Sequence, residues 1–223
     1  MNMTGRVLCS FFLVLFSLSA FASGGTFEVG GGVNRYRSVG NGVWYQKGFP
    51  YHLQLHSSVW MLGWQQPITE HLVFHADWLS LGKAASDSWD TPIDANYNAS
   101  EHRCYGACVS MAHFVGHGSA SGLALSLSQH FGQSGWFFVN AGLYVNRVRW
   151  EEDVYHWQPL LLVPARDLHV AHRTHWEVAP MVGIGVQFGN FSLVGQYISV
   201  QATRDAFPAI FHGADVVLAT VRF

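Results

Sequence analysis

The sequence predicts an all-β fold: an eight-stranded antiparallel up-and-down transmembrane β-barrel that follows a cleaved N-terminal signal peptide. Three observations predict it: apolar residues at every second position in eight runs, links that alternate between short and long, and a shortage of charge. Of the 223 residues, 49% are hydrophobic, 15% aromatic and only 12% charged, about half the charge of an ordinary soluble domain. A period of two means strand. A surface so poor in charge needs a covering other than water. The formal net charge of −2 offers no basic footprint for nucleic acid. There is no internal repeat, so one domain suffices.

The chain opens MNMTGRVLCSFFLVLFSLSAFASGG. One basic residue, Arg6, precedes an apolar run from Val7 to Leu18, and Ala20-Phe21-Ala22 supplies small residues for cleavage. Residues 1–22 therefore read as a signal peptide, cut after Ala22 or Ser23, and 23–223 as the barrel domain. A retained anchor is the alternative, but Ser10, Ser17 and Ser23 leave it short of the ~20 apolar residues a spanning helix needs. Cys9 leaves with the peptide.

The strand-like runs cover roughly 26–37, 51–66, 71–83, 119–131, 136–151, 174–188, 191–204 and 213–223. In WEVAPMVGIGVQF, Trp176, Val178, Val182, Ile184 and Phe188 fall on one face, with Ala179, Gly183, Gly185 and Gln187 on the other. The fourth run sets Leu123, Leu125 and Leu127 against Ala124, Ser126, Ser128 and His130. The fifth sets Phe137, Val139 and Leu143 against Asn140, Tyr144 and Asn146. FSLVGQYISV is apolar on both faces. Pro180 is an objection to its strand, since it removes a ladder hydrogen bond. The links 67–71, 132–135 and Gly189-Asn190 are tight; those over 38–50, 84–118, 152–173 and 205–212 are long. Eight up-and-down strands place all tight turns at one end and all long loops at the other.

A soluble lipocalin-like barrel turns its apolar faces inward and carries charge outside. Here the outer charge is missing. A closed barrel in lipid satisfies every backbone donor internally and needs only ~9 to 11 residues per crossing. The last run, GADVVLATVRF, sets Val217, Ala219, Val221 and Phe223 on one face.

With the signal peptide and the eight-run pattern, that closing strand resembles the bacterial outer-membrane barrels of the OmpA, OmpX and opacity-protein type. The resemblance implies location in the outer membrane, tight turns in the periplasm and long loops outside the cell. It also implies that Phe223, Val221 and Val217 form the signal read by the barrel-assembly machinery. Asp215 departs from it, standing where such signatures carry an apolar residue. The implied partners are outer-membrane lipids, lipopolysaccharide and a surface ligand for the loops. The resemblance names no activity; the expected role is structural or in surface interaction, by a monomer without catalytic residues, metal or cofactor.

Several residues carry more specific expectations. Glu28 and Arg222 face inward at the same end and are expected to pair across the seam that closes the barrel. Trp136, Phe188 and Phe223 are expected at the lower rim, Trp44, Tyr45, Trp78 and Trp150 at the upper. Tyr144, Trp60, Trp64 and Trp136 are expected to narrow the lumen, already filled by side chains in a barrel of eight strands. Cys104 and Cys108 in RCYGAC are expected to form a loop-tip disulfide, with free thiols or a metal or redox pair as alternatives.

Chemistry is sought in three places. His75 and Asp77 share a face, with Ser58 read as inward on the neighbouring strand, the makings of a triad only if geometry assembles them. Outer-membrane lipid A deacylases, which share this architecture, carry a His-x-Ser pair on a late strand; here GQYISVQA has Ser199 but Tyr197 in the histidine position. A lipid A or phospholipid-modifying enzyme is thus the first alternative, and a soluble periplasmic lipocalin-like binder the second. HVAHRTH sets His169, His172 and His175 three residues apart, which gathers imidazoles on a helix but opposes His172 to the others on a strand. The run Leu160 to Val163 is apolar for a loop and reads as packing over the barrel mouth or as an interaction patch.

Overall fold

The computed structural model describes residues 24–37, 51–90, 97–98, 103–104, 112–132, 135–157, 166–204 and 207–223. Eight long strands form one antiparallel sheet: β1 (Thr26–Arg37), β2 (His56–Pro67), β3 (Leu72–Asp90), β4 (Ala112–Phe131), β5 (Phe137–Trp157), β6 (Arg166–Phe188), β7 (Phe191–Ile198) and β8 (Gly213–Arg222). Each pairs with its neighbours in sequence, and β8 returns to pair with β1 from Glu28↔Arg222 to Arg37↔Gly213. The sheet has closed on itself. A closed ladder leaves no open edge, which is the condition for crossing lipid with strands. Among the described residues no helix is long and apolar enough to cross.

The tight turns lie where the sequence places them. Thr69 holds the first: its Oγ1 accepts from the Leu72 amide at 3.0 Å, while the Ile68 amide donates to the Leu72 carbonyl at 2.8 Å. Gly189 takes φ +58° in the last, a left-handed conformation that glycine adopts without a Cβ penalty.

The long links are shorter than their sequence suggests. β3, β4, β5 and β6 run to 19, 20, 21 and 23 residues, so the ladder continues from both sides into 84–118 and 152–173. The reason is physical. Strand pairing does not require an apolar face, and outward Lys83, Asp87, His117, Arg149 and Glu151 hide the extension from a reading built on apolar alternation. Tyr51–Gln54 pairs with Ser88 to Ala85 on the β2 side, so the barrel is lopsided, with β3 to β6 and this short strand standing as a wall beyond β1, β7 and β8.

The wall begins at a bulge between Ser80 and Lys83. Gly82 has φ +73°, and a Cβ there would lie 2.5 Å from the Ser58 carbonyl oxygen. The carbonyls freed by the bulge are taken up from inside the barrel: Asn34 Nδ2 and Ser57 Oγ donate to Leu81 O at 3.0 and 2.6 Å, and Tyr36 OH to Gly82 O at 2.9 Å. Next to this belt the interior is plugged by Tyr36, Leu81, Tyr144, Trp150, Ile198 and Phe211, all buried. The Tyr36 and Phe211 rings stack with centroids 4.4 Å apart.

Candidate functional site

The parity of each strand sorts its residues into two environments. Outward stand Val33, Leu62, Trp78, Leu127, Leu143, Val182, Leu193 and Val217, one from each strand, all between 44% and 64% exposed. In water such a continuous apolar belt would drive aggregation; in hydrocarbon it is the solvated face. Phe27, Phe131, Trp136, Phe188 and Phe223 ring the tight-turn end, also exposed. Trp60 and Trp176 are exposed farther along their strands.

Inward, the half of the barrel next to the tight turns is polar. A cavity of about 40 Å3 is lined there by Glu28, Gln65, His75, Asp77, Asn140 and Gln196, among others. Its centre comes from one row of the ladder: Glu28 on β1 faces Gly63 on β2, and Gly63 faces Asp77 on β3. Strands two apart stand roughly 9.6 Å from each other, too far for short side chains to touch over a normal residue. Gly63 removes the obstacle. A Cβ there would lie 1.9 Å from Asp77 Oδ1, so the carboxylate occupies the space the glycine leaves. His75, one pleat repeat along β3, brings Nδ1 to 3.0 Å from Glu28 Oε1. One ligating atom from each of Glu28, His75 and Asp77 lies within 4.8 Å of the others.

No family model matches the chain, and no curated protein does. Solved structures do. Outer membrane protein OprG from Pseudomonas aeruginosa is similar at 10% identity and TM-score 0.45, over 89% of this chain and 96% of that one. Ail, the attachment invasion locus protein of Yersinia pestis, solved with the heparin analogue sucrose octasulfate, is similar at 9% identity and TM-score 0.44, over 89% and 97%. Neisserial surface protein A is similar at 11% identity and TM-score 0.37, over 90% and 100%. The closed register and the apolar exterior decide the matter.

The chain is a membrane-spanning β-barrel of eight strands.

With the barrel fixed, each expected site residue has a place. Glu28 and Arg222 stand opposite each other at the seam, as parity implies. The Glu28 carboxylate also meets His75 Nδ1, and Arg222 Nη2 donates to the Gly189 carbonyl. The other end of the seam holds a pair that the sequence did not reveal: Arg37 donates to both oxygens of Asp215, at 2.8 and 2.6 Å, with its guanidinium 4.6 Å from the centroid of the Tyr197 ring. This accounts for Asp215, the polar departure from an otherwise apolar face. Phe223, Val221 and Val217 all lie on the outer face. Cys108 lies outside the described residues, as do Trp44 and Tyr45, and Cys104 is described only as the ladder partner of Tyr97. The run 160–163 is outside them too.

Five inward or rim assignments are corrected. Trp60 and Trp64 point outward with Ser58, because β2 turns Val59, Met61, Gly63 and Gln65 inward. Ser58 therefore sits on the opposite face from His75 and Asp77, and no triad forms. Trp150 is no rim residue: it is 1% exposed, seated where a Cβ on Gly116 or Gly118 would collide with its ring. Trp136 is 50% exposed and belongs to the rim rather than the lumen.

HVAHRTH lies on β6, and an irregularity in the β5–β6 register changes the parity within it. Glu152 faces Ala171 but Asp153 faces His169. His169 and His172 thereby share a side, rings 5.8 Å apart, while His175 approaches Glu177. His169 and His172 each take a carboxylate from β5. His169 Nδ1 bonds Asp153, and His172 Nε2 lies 3.2 Å from Glu151. Glu151 also bonds His117 at 3.0 Å and Arg149, whose guanidinium, chiefly, holds its carboxyl below the usual range.

Proposed function

We propose that the protein is a monomeric, non-enzymatic barrel of the bacterial outer membrane whose long-link end serves surface interaction or envelope integrity. The observation that carries this reading is an apolar exterior around a lumen closed by Tyr36, Tyr144, Trp150 and Phe211. Such a barrel anchors and presents; it does not conduct solutes of porin size. The apolar faces point outward, the reverse of a soluble lipocalin-like binder. Presentation falls to the wall of β3 to β6 and the links it carries, since a rigid scaffold with variable connections is a common binding platform. Lipids and lipopolysaccharide surround the belt, and Phe223, Val221 and Val217 lie where assembly machinery could read them. Cys104 and Cys108 form a disulfide in this oxidising setting, which alkylation before and after reduction would report as two protected thiols.

The deciding experiment compares cells expressing the folded protein with cells carrying an empty vector. Outer-membrane fractions should contain a heat-modifiable band, and the lipid A mass spectrum should be unchanged. A lost or added acyl chain would replace this reading with a lipid-modifying enzyme.

A further inference from the structure

We propose that Glu28, His75 and Asp77 hold one divalent first-row transition-metal ion inside the barrel, with zinc the metal their chemistry fits. The donor set is one imidazole nitrogen and two carboxylate oxygens, a mixture zinc accepts readily and magnesium or calcium does not favour. Ligand atoms about 2.1 Å from a common ion stand roughly 3.0 to 3.5 Å apart. The observed 3.0 Å between His75 Nδ1 and Glu28 Oε1 falls within that spacing, and a ligand atom of Asp77 lies within 4.8 Å of both residues' ligand atoms.

The surroundings point the same way. Glu28 and Asp77 are 4% and 7% exposed, so two carboxylates share a site away from water. Two buried carboxyl groups and an imidazole that meet at one point are donors a divalent ion would draw together. His75 Nε2 and Asp77 Oδ1 are buried without a hydrogen-bond partner. Asn140, 7% exposed and lining the same cavity, has an unpartnered Oδ1 as well. That oxygen too lies over a glycine: a Cβ on Gly183 would come within 2.4 Å of it. Two polar side chains thus sit in room left by glycines and keep oxygen atoms unsatisfied, in a cavity large enough for an ion or a water. His130 and Gln187, beside the tight turns, line the cavity's end, so an ion would enter from that side. The ion would tie β1 to β3 across β2.

The test is zinc titration of the folded full-length barrel in detergent by calorimetry, with metal content counted by native mass spectrometry. One zinc per barrel is expected. His75→Gln and Asp77→Asn should each weaken binding at least tenfold while keeping the heat-modifiable band of a folded barrel. A double variant, His169→Gln with His172→Gln, removes the exposed imidazole pair and should keep the interior zinc. Absence of zinc from the wild type overturns the proposal, as does an Asp77→Asn affinity within twofold of wild type. Loss of the zinc in the exposed pair's variant would overturn it too.

Discussion

Gly63 shows how one missing side chain organises a site. Glu28, Gly63 and Asp77 form a row, and the acidic groups meet because nothing stands between them. Gly63→Ala would place a methyl in the space of Asp77 Oδ1. The carboxylate cannot leave for water, so the strand must shift; overpacking of this kind costs about 1 to 3 kcal/mol. Urea unfolding of the barrel in lipid vesicles should show that loss, and an unchanged midpoint would mean that Asp77 has room elsewhere. Tyr144→Phe is the milder companion. Its hydroxyl donates to the Leu79 carbonyl at 2.9 Å in a buried setting, and removing it should cost about 1 kcal/mol in the same assay.

At the scale of the strand, the membrane wall and the aqueous wall obey different rules. Where lipid faces the strand, the sequence announces it: Leu123, Leu125 and Leu127 against Ala124, Ser126 and Ser128 could be read directly. β2 could not, because Val59 and Met61 inside and Trp60 and Leu62 outside are equally apolar, so its parity became visible only through the ladder. Nor could the upper half of β5 and β6, where polar side chains pair across strands without an apolar face. Glu28, His75 and Asp77 were each legible as inward polar residues, but Gly63 as the gap that joins them was not, since a strand glycine has many causes. The aqueous wall leans on carboxylates instead. The Glu151 carboxyl sits below its usual range through Arg149, His172 and His117. A group whose folded value is depressed gives its stabilisation above the unfolded value and loses it as pH falls through the folded one. Hydrogen exchange of Arg149 to Trp157 should therefore accelerate as pH drops below the ordinary glutamate range, after correction for the intrinsic rate. Glu151→Gln should exchange fast at neutral pH and show little further change.

The whole molecule has two dissimilar ends, and this asymmetry gives the most direct test of its orientation. One end holds three connections too short to carry a binding surface, of which Gly189-Asn190 is the tightest. The other holds the protruding wall and the links between Trp157 and Arg166 and between Asp90 and Ala112. Hairpin turns tolerate little insertion because their length sets the register of both strands, whereas long links absorb it at small entropic cost. A protease site placed between Trp157 and Arg166 should leave the barrel folded and be cut by protease added to intact cells. The same site placed between Gly189 and Asn190 should resist until the outer membrane is breached, and should lower the yield of folded barrel. Cleavage at the tight turn in intact cells would invert the barrel, and with it the assignment of the wall as the surface that meets other molecules.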